Sequence, residues 1–230
     1  MGFTEFSYFA SKSGAPFPDP DTPEGRDIKH MLETAAAQPG AGRIYWGHAV
    51  EKPHQQWLFL DWDSVEEHLA YRTTPEHDVV AESMSSYLDW TDGYIKHIVT
   101  KPWPPTILAE APVTEVLTLF FPAELEEAAK EELSKQLEEF KVKALDTSPD
   151  FKGIAYGWSK ENDVPITGED GKTGNLLVAF IGWPSVEAHL KFREAEAFKE
   201  NIGLLRGMKG IVKLGVFHVA CRSLLSAEKK

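Results

Sequence analysis

One eleven-residue segment occurs twice in this chain. The segment WDSVEEHLAYR, residues 62–72, returns 121 residues later as WPSVEAHLKFR, residues 183–193, with seven of eleven positions identical. Two shorter matches accompany it: 42–45 with 153–156, and Thr4-Glu5 with Thr114-Glu115. A repeat at this spacing indicates one structural unit of roughly 110 residues that is present twice. The extra residues of the second copy fall in a Gly-, Asp- and Thr-rich loop over 164–174.

Hydrophobic periodicity predicts the same order of elements in both copies, β-α-β-β-α-β. In the first copy we predict strands over 3–10, 43–50, 56–60 and 94–101, and helical segments over 23–38 and 63–88. In the second copy we predict strands over 116–121, 153–160, 176–181 and 210–219, and helical segments over 123–145 and 185–206. Asp63 is the predicted N-cap of the repeated helix, and Thr74-Pro75 is typical of a second helix start.

The repeat also predicts the domain organisation and the fold class. The first unit spans 1–105 and carries the candidate pocket, a stiff and extended Pro-rich linker spans 106–112, and a scaffold-like second unit spans 113–230, with a polar tail that frays. Each unit has helices on one face of its sheet only, so its other apolar face needs a cover. We therefore predict an α+β fold of two ferredoxin-like units packed sheet on sheet, a monomer that is its own pseudo-dimer.

Composition excludes several classes of partner. With 24 Lys and Arg against 36 Asp and Glu, the net charge of −12 disfavours binding to nucleic acid or to an anionic membrane surface. Cys221 is the single cysteine, so an internal disulfide is excluded. Neither a membrane-spanning apolar run nor a signal-peptide pattern is present. These features predict a cytoplasmic protein.

Tyr71 and His77 are the candidate catalytic residues, because they flank the break between the two predicted helices. Histidine has a reference pKa near ~6.5 and suits proton transfer, whereas tyrosine, near ~10, suits hydrogen-bond donation to a carbonyl oxygen. The alternative is purely structural, with His77 packed under its helix and the Tyr71 hydroxyl in water. The second copy has Phe192 and Phe198 at these positions, so we expect its equivalent space to be filled or wholly apolar.

A high aromatic content favours a flat, apolar ligand as well as a core. The predicted substrate-binding residues are Tyr8, Tyr45, Trp46, His48 and Phe59. No histidine spacing is typical of a metal site, and no glycine-rich nucleotide motif occurs, so we expect neither metal nor cofactor. The remaining repeated or strand histidines are interpreted as structural: His68, His97, His189 and His218.

On these residues the chain resembles the dimeric α/β-barrel superfamily, most closely its stress-responsive branch, which includes polyketide cyclases of the olivetolic-acid-cyclase kind. The residues that carry the resemblance lie in 44–47 (IYWG), 64–66 (SVE) and 71–77 (YRTTPEH). The resemblance implies that Tyr71 and His77 are an acid/base pair in one pocket of the first unit. A further histidine of such cyclases is replaced by Gln56, which departs from the family pattern.

The resemblance therefore implies a cofactor-independent enzyme that cyclises or rearranges an apolar aromatic or polyketide-like small molecule by acid/base catalysis. Three alternatives stay open. The chain is a non-catalytic stress-associated or ligand-binding protein, a cofactor-free monooxygenase, or a haem-binding protein.

Overall fold

The structure is a computed structural model that describes residues 2–226. It divides into two units: unit 1 comprises residues 2–97 and 219–226, and unit 2 comprises residues 98–218. Both units are mixed α+β, and each has the ferredoxin-like order of elements that the repeat predicts.

Unit 1 has four long strands and three helices. The elements of its first stretch are β1 (Phe3–Ser11), α1 (Arg26–Ala36), β2 (Ala41–Ala49), β3 (Lys52–Trp62), α2 (Val65–Tyr71), α3 (Pro75–Met84) and β4 (Leu88–Lys101). The sheet order is β2-β3-β1-β4. The central strands β1 and β3 pair antiparallel with Phe3 opposite Trp62 and Tyr8 opposite Trp57.

Unit 2 repeats this arrangement with small additions. Its elements are α4 (Ile107–Glu110), β5 (Val113–Phe121), α5 (Glu127–Lys143), β6 (Gly153–Ser159), β7 (Val164–Pro165), β8 (Thr173–Trp183), α6 (Val186–Phe192), α7 (Glu196–Asn201), α8 (Gly203–Arg206) and β9 (Lys213–Val219). The sheet order is β6-β8-β5-β9, and β7 forms a short hairpin with the start of β8.

The unit boundaries differ from the predicted 1–105 and 113–230, because the end of each copy joins the sheet of the other unit. Residues 98–101, the end of β4, pair with β6 and so belong to unit 2. The C-terminal strand β10 (Arg222–Leu225) pairs with β2 and belongs to unit 1. The tail is therefore ordered through β10 rather than frayed, and the rest of that prediction, residues 227–230, lies outside the described part of the chain.

The predicted linker 106–112 is not extended throughout. Residues 107–110 form the single helical turn α4, and Ile107 and Leu108 are buried. Burial of these two apolar side chains stabilises a turn that the surrounding prolines do not forbid, since all of them lie outside it. The X-Pro bonds Lys101–Pro102 and Trp103–Pro104 are cis.

The repeated helix begins one residue later than Asp63. The backbone N–H of Asp63 donates to Gly40 O at 2.9 Å, so Asp63 belongs to the turn that follows β3 and not to the helix. Ser64 is the N-cap instead; its Oγ accepts from the Glu67 N–H at 3.2 Å and donates to the Glu67 carboxylate at 3.1 Å. Ser64 thus makes the serine half of a capping box, and its hydroxyl rather than its backbone N–H bonds the glutamate.

The helix-side core of each unit packs apolar helix faces against alternate strand residues. In unit 1, α1 contributes Ile28 and Leu32 and α3 contributes Val80 and Met84, all of them buried. Unit 2 does the same with a cluster under α5, which includes Leu133, Leu137 and Phe140. No helix within the described residues is both long and apolar enough to cross a membrane.

Candidate functional site

A cavity of about 210 Å³ lies in unit 1 between the sheet and its helices. Its walls are mostly apolar and come from α1, α3 and the strands: Leu32, Ile44, Leu58, Leu60, Val80 and Met84. Ligand pockets for drug-sized molecules are typically ~300–1,000 Å³, so this cavity suits a smaller molecule of two or three rings. Its ionisable lining groups are Glu5, His68, Tyr71, Arg72 and His77.

Local sequence places Tyr71 and His77 side by side on the cavity wall. Tyr71 is the last residue of α2, and the chain turns to Thr74, which caps α3 by accepting from the His77 N–H at 3.2 Å. Pro75 holds the first helical position, where its missing N–H costs nothing. The two rings stand nearly perpendicular at 85°, with centroids 5.2 Å apart.

The surroundings of the pair suit a hydrogen-bond donor beside a proton acceptor. Burial, with the nearby carboxylates of Glu5 and Glu76, raises the pKa of Tyr71 to about 12, so its hydroxyl stays protonated at cellular pH. His77 Nδ1 is buried and has no hydrogen-bond partner among the described residues, its closest carboxylate oxygen being that of Asp78 at 3.8 Å. A ring nitrogen is thus available to a bound molecule.

A buried polar cluster that sequence reasoning missed lies beside this pair. His68 Nε2 is 3.3 Å from Glu5 Oε2, and His68 Nδ1 is 2.8 Å from His97 Nε2. Glu5 also accepts from Trp62 Nε1 at 3.3 Å and from Ser7 Oγ at 3.0 Å. Burial lowers the pKa of His68, which favours the neutral ring.

The sequence contained a signal for this cluster. Glu5 and Glu115 occupy matched positions, and both His68 and His97 recur 121 residues later, as His189 and His218. The predicted structural role of His68 and His97 fits their burial and hydrogen bonding. Glu5 went unnoticed because a glutamate in a strand is ordinarily a solvated residue.

The five predicted substrate-binding residues are not among those that line the cavity. Glu5, Phe9, Ile44, Leu58 and Leu60 line it. Because side chains alternate along a strand, the neighbouring residues Tyr8, Tyr45 and Phe59 point to the other face of the sheet. Tyr8 is held there by a 2.7 Å hydrogen bond to Asp92. Burial raises the pKa of both Tyr8 and Tyr45.

Trp46 and His48 share the strand face of Ile44 but have other neighbours. Trp46 lies under the Arg222 guanidinium, 5.4 Å from the ring centroid, and His48 stacks on Phe17 with centroids 6.5 Å apart. Burial lowers the pKa of His48. Trp46 was predicted as a binding group from aromatic content, and His48 because it shares a strand face with Trp46; neither signal indicates where along that face a cavity forms.

The equivalent space in unit 2 is neither filled nor wholly apolar, contrary to the prediction. A cavity of about 190 Å³ lies there, and Glu115, His189, Arg193 and Arg206 are among its lining residues. Phe192 and Phe198 also line it, with ring centroids 5.3 Å apart at 76°. The phenylalanine pair therefore reproduces the placement of Tyr71 and His77 without their proton-transferring groups.

Comparison with known proteins identifies the fold. No protein-family model and no curated protein sequence matches the chain. Among solved structures, it is similar to an anthrone oxidase-like protein, with a TM-score of 0.64 and 17% identity over 100% of this chain and 95% of that one. A protein of Fusobacterium nucleatum provisionally named a monooxygenase matches with a TM-score of 0.60 and 8% identity over 97% and 94%. A mutant chlorite dismutase from Candidatus Nitrospira defluvii matches with a TM-score of 0.51 and 9% identity over 95% and 91%.

These similarities cover both units and confirm the predicted fold class. The chain has the fold of the dimeric α/β-barrel superfamily, with two ferredoxin-like units on one chain. Since the fold hosts several activities, the activity of this chain has to be argued from its own cavity.

Proposed function

We propose that this chain is an enzyme that removes a proton next to a carbonyl group of a small, apolar, aromatic or polyketide-like molecule, without a cofactor. The observation that carries the proposal is the Tyr71–His77 pair at 5.2 Å in the wall of an apolar cavity. An apolar wall favours binding of such a molecule, and two convergent polar groups orient it.

The two side chains divide the work. A nitrogen of His77 takes the proton from the carbon next to the carbonyl group, and the electron pair moves onto the carbonyl oxygen. Tyr71, still protonated because its pKa is raised to about 12, donates a hydrogen bond to the resulting enolate oxygen. General-base catalysis typically contributes ~10²–10⁴-fold in rate, and a donor aimed at developing charge adds to that.

Glu5 and His68 line the same cavity as Tyr71 and His77. Both line the cavity and are hydrogen-bonded within the buried cluster, so they hold the local charge fixed while the proton moves. Arg72, exposed and also part of the lining, supplies a cation at the solvent side.

The enolate has two productive fates. In a cyclase, its carbanion carbon attacks a second carbonyl carbon of the same molecule and closes a ring, and the alkoxide that forms takes back the proton held by His77. In a cofactor-free monooxygenase, the carbanion carbon transfers an electron to molecular oxygen and combines with it to form a peroxide, which takes up the proton held by His77 and loses water to leave a new carbonyl group. Resemblance of residues 40–100 to polyketide cyclases supports the first, and structural similarity to an anthrone oxidase-like protein supports the second.

Two non-catalytic readings compete with this proposal. A ligand-binding protein would use the same cavity without turnover. A haem protein would need an axial histidine with a free nitrogen, a condition that His68 fails because both of its ring nitrogens are engaged. His77 is the histidine of this cavity that meets it, so a hemin titration followed by absorbance, with His77→Ala as control, tests that reading.

The test of the proposal uses anthrone, an aromatic ketone with an acidic methylene group, as the ketone probe. Incubated with the protein in D₂O without oxygen, its methylene hydrogens should exchange faster than in buffer, as followed by NMR. Oxygen is then admitted and its consumption measured: uptake selects the monooxygenase, and exchange without uptake selects carbanion chemistry of the cyclase kind. No enhanced exchange, with the probe bound, would support the ligand-binding reading.

A further inference from the structure

The cavity of unit 2 has a division between its deep end and its mouth. Glu115 and His189 are buried at the deep end, where Glu115 Oε2 is 3.4 Å from His189 Nε2 and accepts from Trp183 Nε1 at 2.9 Å. Arg193 and Arg206 also line the cavity but are exposed, which places them at the mouth. The other lining residues are apolar.

The two arginines carry unsatisfied binding capacity. Neither guanidinium forms a salt bridge or hydrogen bond with any other described residue; the one effect of Arg193 on a carboxyl group is a through-space attraction that favours ionised Glu115. In a chain of net charge −12, two free guanidinium groups at one opening are a local reversal of the overall charge. Guanidinium groups bind carboxylates through paired N–H donors.

We infer that this cavity is a second ligand site, which binds a small aromatic or aliphatic molecule that carries a carboxylate. The anionic group binds at Arg193 and Arg206, and the apolar part inserts between Phe140, Phe192, Phe198 and Leu205. The aromatic walls favour an aromatic insert, because perpendicular rings such as Phe192 and Phe198 offer both edges and faces to a third ring.

The site goes beyond the proposed reaction, because Phe192 and Phe198 stand where unit 1 has the Tyr71–His77 pair. It also differs from the cavity of unit 1 in its charge. Arg72 is the counterpart of Arg193 and lines the first cavity, whereas the residue matched to Arg206 is Ser85, which does not line it. A carboxylate is therefore favoured in unit 2 by one additional cation.

The test is isothermal titration calorimetry of the whole protein with 2-naphthoate, and with the neutral ketone 2-acetonaphthone as the matched probe. Wild type should bind 2-naphthoate, and Arg193→Gln/Arg206→Gln should weaken that binding by about tenfold, because each solvent-exposed ion pair contributes modestly. The neutral probe should bind the double variant as it binds wild type.

Blocking variants locate the site. Val216 lines the cavity of unit 2 and is 39% exposed, so a tryptophan at this position can block the cavity without disturbing the buried core. Its counterpart in the repeat is Ile95, which lines the cavity of unit 1, and Ile95→Trp is the matched control. Val216→Trp should abolish the arginine-dependent binding of 2-naphthoate, and Ile95→Trp should leave it intact.

Three results would overturn the inference: no binding of 2-naphthoate to wild type, binding unchanged in the double arginine variant, or loss of binding in Ile95→Trp but not in Val216→Trp. The arginine substitutions are at exposed positions and test the site even where Val216→Trp fails to fold. None of these measurements depends on turnover, so failure of the proposed reaction would not affect them.

Discussion

The cavities of unit 1 and unit 2 are built on the same buried polar frame. In unit 1, Trp62 and His68 stack at 5.1 Å and both contact the Glu5 carboxylate; in unit 2, Trp183 and His189 stack at 5.3 Å and both contact Glu115. The distance from Nδ1 to Nε2 is 2.8 Å between His68 and His97 and 2.7 Å between His189 and His218. Because the frame is present with and without the Tyr–His pair, it serves first to build the unit.

Three exchanges around that frame separate the proton-transfer chemistry of the two units. Unit 2 has Leu117, Phe192 and Phe198 where unit 1 has Ser7, Tyr71 and His77. Phenylalanine in place of Tyr71 and His77 removes a hydroxyl and an imidazole but keeps an aromatic ring that packs, and Leu117 puts an apolar side chain where unit 1 has the Ser7 hydroxyl. A cavity therefore persists while its chemistry changes. A duplicated unit can therefore keep its stability in both copies and confine proton transfer to one.

His77→Ala should have the largest effect on the difference between the two cavities. It should lower the rate of proton exchange by about 10²–10⁴-fold, because His77 is the proposed base. The matched change Phe198→Ala should leave the rate unchanged but cost about 2 kcal/mol of stability, less than the roughly 3–5 kcal/mol of a fully buried phenylalanine. Exchange kinetics with the ketone probe and urea unfolding measure both. Equal rates in wild type and His77→Ala would remove the acid/base pair from consideration.

Glu115 should make the stability of unit 2 depend on pH. Burial raises its pKa in the folded protein from an ordinary 4.5 to about 7. Between these values the folded protein holds a proton that the unfolded chain has released, so the free energy of unfolding falls as pH rises through this window, by about 3 kcal/mol at ~1.4 kcal/mol per pKa unit. Below pH 4.5 the contribution is fully present.

Glu115→Gln keeps the acceptor for Trp183 and removes the titration. Relative to wild type, it should gain about 3 kcal/mol of stability between pH 4.5 and pH 8, as measured by urea unfolding across this range. If the free energies of unfolding of the two proteins instead changed with pH in parallel, Glu115 would be ionised throughout this range and the prediction would be wrong.

Tyr71→Phe should lower the rate by about 10-fold or more with little change in affinity, because it removes only the hydroxyl that stabilises charge at the carbonyl oxygen. The reverse change in the other copy, Phe192→Tyr, should create no activity, since Phe198 offers no base. Kinetics of both variants, alone and combined with His77→Ala, measure the effect. Exchange that appears in Phe192→Tyr/His77→Ala would contradict the assignment of chemistry to unit 1.

The helix caps should give the smallest difference. Ser64 and Ser185 both cap the repeated helix, each accepting a backbone N–H at 3.2 Å. Ser64→Ala and Ser185→Ala should each cost about 1 kcal/mol, because each serine also bonds a carboxylate of the first helical turn, Glu67 in unit 1 and Glu187 in unit 2. Thermal unfolding of the two variants is the measurement. A loss above ~3 kcal/mol at either site would mean that the serine does more than cap.

The sequence predicted the repeat and the order of elements, because periodicity and caps are local signals. That Tyr71 and His77 share one pocket was implied by the resemblance to the dimeric α/β-barrel superfamily. It did not predict where β4 and β10 pair, since strand partners depend on residues far apart in the chain. It placed Tyr8, Tyr45 and Phe59 in the pocket, although strand alternation turns them away from Glu5 and Leu60.

The most direct test of the central claim is a crystal structure of the protein with the ketone probe, grown without oxygen so that no oxidation follows. The account predicts density in the cavity of unit 1, with the carbonyl oxygen within hydrogen-bonding distance of the Tyr71 hydroxyl and the acidic carbon about 3–3.5 Å from a nitrogen of His77. Density in unit 2 alone, or a probe in unit 1 whose carbonyl group points away from Tyr71, would contradict it.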